Sequence, residues 1–126
     1  MQTTMKILSN HVYHIRQNTL RNGGLSVNPF YGSHEPKTGY MVALQGHELV
    51  IPVELFNHGS IVDYLEEKSN LLMGDASLFL GTWLNDGKVY LDISENVLNF
   101  DDAIIKGLNR QQLAIFDLNN MSEVSL

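Results

Sequence analysis

Residues 77–94 constrain the fold of this chain more than any other stretch. The runs "SLFLGTWL" and "KVYLDIS" flank Asn85-Asp86-Gly87. An Asp-Gly turn between two β-forming runs is a strong hairpin signal. Side chains alternate between the two faces of a strand. In the return strand Val89, Leu91 and Ile93 therefore share one face, which reads as core, and Tyr90, Asp92 and Ser94 share the other. The second face carries a phenol, a carboxylate and a hydroxyl in a row. Whatever lies over that face decides whether the row is available to a ligand.

The remaining elements follow from periodicity and punctuation. Met5, Leu8, Val12, Ile15 and Leu20 recur at helical spacing and predict an amphipathic helix over 4–20, capped by Thr3 or Thr4. Asn22-Gly23-Gly24 stops it, because glycine tolerates the left-handed backbone that follows a helix end. "LSVNPF" is a short strand candidate and "YGSHEPKTG" a polar loop. Strands are expected at 40–45 and 48–55, joined as a tight hairpin at Gly46-His47. Pro52 lacks an amide donor, so the second of these lies at an edge or ends early. Ser60 is the expected cap of a second helix over 61–72, ended by Gly74-Asp75. Asn99 or Asp101 caps a third over 101–108, which Gly107 and Asn109 help to end. "QLAIFDL" is a last strand, followed by an Asn119-Asn120 turn and a short tail. The expected architecture is a single α+β domain over 1–126 with a mainly antiparallel sheet, an N-terminal helix and two further helices.

Composition narrows the function classes. The 126 residues fit one domain. With no cysteine, the chain has no disulfide, thiolate nucleophile or Cys-based zinc site. No stretch approaches the roughly 20 apolar residues of a membrane helix, and the first residues lack a signal-peptide core. A cytoplasmic protein with no membrane partner is expected. The net charge of −6, from 14 acidic and 8 basic residues, disfavours a nucleic-acid polymer as partner. A few arginines and backbone amides still suffice for one small anion.

Catalytic and metal signals are weak. His11 and His14 are spaced to share a metal, but nothing supplies a third ligand at recognisable spacing. His34, His47 and His58 fall in expected turns, and solvent-facing histidines are the simpler reading. Asp63, Glu66 and Glu67 form a solvated helix face, and Asp101-Asp102 complement a helix dipole. None of the nucleophile, phosphate-loop or zincin motifs occurs. No catalytic residue, metal or cofactor is expected.

Binding signals are better. Trp83 and Tyr90 can pair across the hairpin, either within the core or as a platform for a purine, with Asp92 or Ser94 holding a ribose hydroxyl. Arg110, beside Asn109 and Gln112, reads as a helix-end cation or as a phosphate clamp. Arg16, Arg21, Gly23 and Gly24 are secondary candidates near the glycine turn.

Taken in order, "NGGLSV", "TGYMVAL.GHE", "GTWLNDGKVYLDIS", "FDDA" and "QQLAIFDL", spanning about residues 22–118, resemble the first-described family of phage Thoeris anti-defence sponges. The resemblance implies a non-enzymatic viral protein of the infected host cytoplasm. Such a protein sequesters cyclic ADP-ribose isomers, and in some members cyclic oligonucleotides. It implies a homo-oligomer whose ligand sites are shared between protomers. A hairpin aromatic and an arginine near the third helix end would serve such a site, and these map onto Trp83 and Arg110. Position 109 is asparagine, so a doubled arginine is absent. The competing expectation is an acidic protein-binding inhibitor of a host defence system, of antirestriction or anti-CRISPR type. It would use Asp63, Glu66, Glu67, Glu95, Asp101 and Asp102. A third is a small nucleotide hydrolase, which would need a carboxylate pair and a metal.

Overall fold

The hairpin at residues 77–94 forms the centre of the sheet. The computed structural model describes residues 2–32 and 35–126, with side chains from residue 11 onward. His34 lies outside the described residues. The chain runs α1 (Gln2–Asn22), β1 (Gly24–Val27), β2 (Tyr40–Ala43), β3 (Leu49–Pro52), a 3-10 turn (Val53–Leu55), α2 (His58–Glu67) and α3 (Ser69–Gly74). It continues with β4 (Leu78–Asn85), β5 (Lys88–Val97), α4 (Phe100–Asn109), β6 (Ala114–Asp117) and β7 (Ser122–Ser125). The fold is α+β. Its antiparallel sheet has the order β1-β4-β5-β2-β6-β7, with β3 also paired to β5. Asp86 and Gly87 both take positive φ (51° and 75°), the backbone that lets a two-residue turn follow the strand twist.

All the described helices pack on one face of this sheet. Val12 and Ile15 of α1, Ile61 and Leu65 of α2 and Leu72 of α3 join Leu80, Val89, Leu91 and Ile93 in one core cluster. Ala103 of α4 joins Val42, Val97 and Ile115 in a second. The pairing registers put all these strand residues on the same side. Each fully buried aliphatic side chain contributes about 1.5–3 kcal/mol. Thr82 shares this face. Thr19 Oγ1 donates to the Ile15 carbonyl at 2.7 Å and meets Thr82 Oγ1 at 2.6 Å, so two buried hydroxyls satisfy one another.

Several expectations need correction. The residues 40–45 and 48–55 do not form a hairpin. β2 and β3 run in the same direction along β5, β2 against Glu95 and its neighbours and β3 against Leu91 to Lys88. Residues 44–48 bulge out of one interrupted strand, with Gly46 at φ 86° inside the bulge. A glycine-containing pair reads locally as a turn, yet the long β5 offers both segments a partner. As expected of Pro52, β3 ends there. The cap of α2 is Asn57, and Ser60 returns the contact as the third helical residue of a capping box. His58 thus opens α2 rather than sitting in a turn. The second helix is broken at Lys68 into α2 and α3. α1 begins at Gln2, ahead of both candidate threonine caps. Gly107 does not end α4. It lies buried within it, where an added β-carbon would stand 2.6 Å from Leu126 Cδ1. The tail forms β7, and Leu126, which follows it, fills that gap.

Candidate functional site

The sheet face opposite the helices carries an open trough of about 840 Å³. Its shape follows from the size of the residues that alternate onto this face. Opposite one another across the strands lie Gly24, Trp83, Tyr90 and Val50 in one row, and Ser26, Gly81 and Asp92 in the next. Phe79, Ser94 and Ala43 follow, and Phe79 is buried rather than part of the lining. The floor is formed by Ser26, Gly81, Asp92, Ser94 and Ala43, with Trp83 and Tyr90 at one end and Phe116 and Met121 toward the other. Glu35, Pro36 and Lys37, from the connection between β1 and β2, contribute to the lining.

Trp83 and Tyr90 are directly opposed, with ring centroids 5.6 Å apart and planes tilted by 39°. The pair is not core. Trp83 is 54% exposed, and its neighbour on β1 is Gly24, which has no side chain to cover it. Gly24 is required there, because a β-carbon would stand 2.2 Å from the Thr82 carbonyl oxygen. Gly23 takes φ 90° and donates its amide to Thr19 as α1 ends, so it performs the helix stop. Both glycines also line the trough.

Asp92 lies flat on the floor because its opposite residue is Gly81. A β-carbon on Gly81 would stand 2.4 Å from Asp92 Oδ1. Burial raises the Asp92 carboxyl above the usual carboxylate range. The Ser94 hydroxyl, donating to Oδ1 at 3.3 Å, opposes that rise, and the Glu48 carboxylate from the bulge adds to it. Among the described residues, Glu35, Glu48, Asp92 and Glu123 line the trough together with one cation, Lys37. The site is rich in acceptors and presents a free aromatic face.

Arg110 is not in this trough. It caps the end of α4 and donates to Glu95 Oε1 at 2.7 Å and to the Val42 carbonyl at 3.4 Å. Lys106 donates to the other Glu95 oxygen at 2.8 Å. Although burial works against it, these two donors hold the Glu95 carboxyl below its ordinary range. The expectation of an open phosphate clamp beside Trp83 is therefore corrected. Glu95 shares the helix-bearing face with Ile93, and it binds Arg110 there. For the same reason Glu95 does not contribute a free charge to an acidic surface.

Arg110 does line a smaller polar cleft of about 250 Å³, formed where the bulge leaves β5 uncovered. Asp92, Glu48 and Gln112 border it too. Gln112 lines both cavities and donates to the Arg110 carbonyl at 3.2 Å. Gln111, held at φ 56°, accepts a hydrogen bond from Gln45 across this cleft. Asn109 is exposed at the helix end and lines neither cavity, and Arg16 and Arg21 line neither. The structure thus brings together Trp83, Tyr90, Asp92, Gln112, Gly23 and Gly24, and leaves Asn109, Arg110, Arg16 and Arg21 outside the trough.

Glu48, Gly81 and Ser26 were missed as site residues. Parity along β4 gives Gly81 and Trp83 the same face, so a glycine two residues before an aromatic was the available signal. Among the described residues, no group of three or more His, Asp or Glu is placed to hold a metal ion. His47 is half-buried in the bulge, where its carbonyl accepts the Tyr64 hydroxyl at 2.6 Å. Compared with known proteins, the chain matches no family model, and neither a curated protein nor a solved structure is significantly similar to it.

Proposed function

We propose that this chain is a non-enzymatic binding protein that holds a planar ligand on its helix-free sheet face. The ligand is a cyclic nucleotide immune signal, a cyclic ADP-ribose isomer or a cyclic oligonucleotide, sequestered by a phage anti-defence protein in the cytoplasm of the infected cell. The observation that carries the reading is Trp83: an indole more than half exposed at the end of an open trough, beside a glycine, with Tyr90 at its edge. A solvent-facing indole in such a place offers a nucleobase a stacking surface.

The charge of the trough adds a condition. Among the described residues its lining carries four carboxylates and one lysine, and Arg110 and Lys106 are engaged by Glu95. In this reading the cations for the ligand phosphates come from outside this lining, supplied by a second copy of the chain. Exposed apolar side chains support such an oligomer: Leu113 is 88% exposed, and Ile105 and Leu108 project from the outer surface of α4. No described helix is long and apolar enough to cross a membrane.

The test is retention. The purified protein is incubated with cyclic ADP-ribose isomers and cyclic oligonucleotides, freed of unbound ligand, heated and analysed by mass spectrometry. Intact ligand released only by heat, and not retained by Trp83→Ala, is the expected result. Altered ligand would indicate an enzyme. Retention of none would transfer the weight to the second reading, an acidic protein-binding inhibitor. That reading is favoured by the exposure of Asp63, Glu66 and Glu67 on α2 and of Asp101 and Asp102 on α4.

A further inference from the structure

We infer that Asp92 is the specificity-determining residue of the trough and that it selects a nucleobase bearing an exocyclic amino group on the edge facing the floor. The inference rests on the reading of the trough as a nucleobase site and adds which edge of the base is read.

Three observations lead to it. The first is position. Same-face residues two apart on a strand are separated by about 7 Å, so Asp92 lies one step along the floor from the Trp83–Tyr90 row. A base stacked on Trp83 directs an edge toward that step. The second is geometry. Gly81 leaves room for the Asp92 carboxylate to lie against the sheet, and both the Gly81 approach and the Ser94 hydroxyl meet Oδ1. Among the described residues, Oδ2 receives no hydrogen bond and remains for a ligand. The third is charge. Glu48 lines the trough beside Asp92, and Glu35 and Glu123 also line it, against Lys37 alone among the described residues. An edge that presents N–H donors is attracted there, and one that presents lone pairs is repelled. A partly buried carboxylate with too few donors discriminates between ligands in this way, because a ligand without the donor leaves it unpaired.

The chain has one tryptophan, so Trp83 emission reports on the site directly. The probes are two pairs of nucleosides, each differing by one amino group: adenosine against purine riboside, and guanosine against inosine. In the wild-type protein the amino-bearing member of at least one pair is expected to bind about tenfold more tightly. Asp92→Asn, which replaces one acceptor oxygen by a donor, is expected to reduce that ratio to less than about threefold while stacking persists. Equal binding within both pairs by the wild-type protein would overturn the inference and leave the nucleobase site standing, a result that does not depend on how the variant folds. Discrimination unchanged in Asp92→Asn would do the same. If no nucleoside alters Trp83 emission up to millimolar concentration, the nucleobase reading fails and the inference with it.

Discussion

Replacing Gly81 with alanine tests the floor of the trough and separates folding from binding. The new β-carbon would stand 2.4 Å from Asp92 Oδ1, about 1 Å inside ordinary contact. The backbone of Gly81 is ordinary strand, so the substitution meets the carboxylate and not a conformational barrier. Crowding of this kind costs about 1–3 kcal/mol. Removing a strand glycine returns about 0.5–1 kcal/mol. The net expected loss is about 0–2.5 kcal/mol, with the melting temperature lowered by roughly 4 °C for each kcal/mol in a domain of this size. The carboxylate is the end of a side chain and can swing away, so the fold survives, but Asp92 is displaced from the floor. The decisive form is a double-mutant cycle with Asp92→Ala, followed by urea denaturation. Without the carboxylate the clash disappears, and Gly81→Ala becomes neutral or stabilising. The two sites should couple by about 1–3 kcal/mol, the crowding term itself, against about 0.5 kcal/mol for independent positions. Additivity within that margin would refute the account of how Asp92 is seated.

Other expectations follow from the same geometry. Asp92 has its carboxyl raised in the folded state, so its contribution to stability is present below the unfolded value and lost as pH rises. Asp92→Asn should therefore unfold at higher denaturant than the wild type at pH 7, and the difference should close near about pH 4, where an ordinary aspartic acid titrates. A wild type more stable than the variant at neutral pH would contradict this. Glu95 behaves oppositely: its carboxyl is lowered by Lys106 and Arg110, so its contribution is present above the unfolded value and lost as pH falls. Glu95→Gln should cost about 1 kcal/mol at pH 7 and nothing once glutamate is protonated, measured by thermal melts across pH. Gly24→Ala should be much worse than Gly81→Ala. It meets backbone at 2.2 Å, at a φ of 153° that side chains rarely adopt, and circular dichroism should show a loss of more than about 3 kcal/mol or failure to fold.

The part of the fold read most accurately was the part determined locally. Asn85-Asp86-Gly87 sets its own turn, and alternation along β5 assigned Val89, Leu91 and Ile93 to the core and Tyr90, Asp92 and Ser94 to the other face. That these three lie on the face that carries no helix is a property of α1 to α4 together, which no window of residues contains. The bulge at residues 44–48 was misread because its glycine has the local chemistry of a turn, while its actual partner lies more than forty residues away on β5. Arg110 is the helix-end cation of its two readings and lies outside the trough, for a reason that alternation already held. Glu95 follows Leu91 and Ile93 on the helix-bearing face, where a carboxylate needs cations, and Lys106 and Arg110 stand one turn apart on α4 to supply them. The end strand β7 was invisible because "SEVS" is short and polar, and β6 and the packing of Leu126 against Gly107 hold it.

The central claim is that the ligand lies on the helix-free face of the sheet. Amide and indole chemical-shift mapping during titration with the ligand recovered by heat release tests it most directly. The account predicts shifts concentrated at the Trp83 indole, Tyr90, Asp92, Ser94, Gly81 and Gly24, with the exposed faces of α2 and α4 unmoved. Shifts confined to α2 and α4, with the Trp83 indole resonance unchanged at saturation, would contradict it.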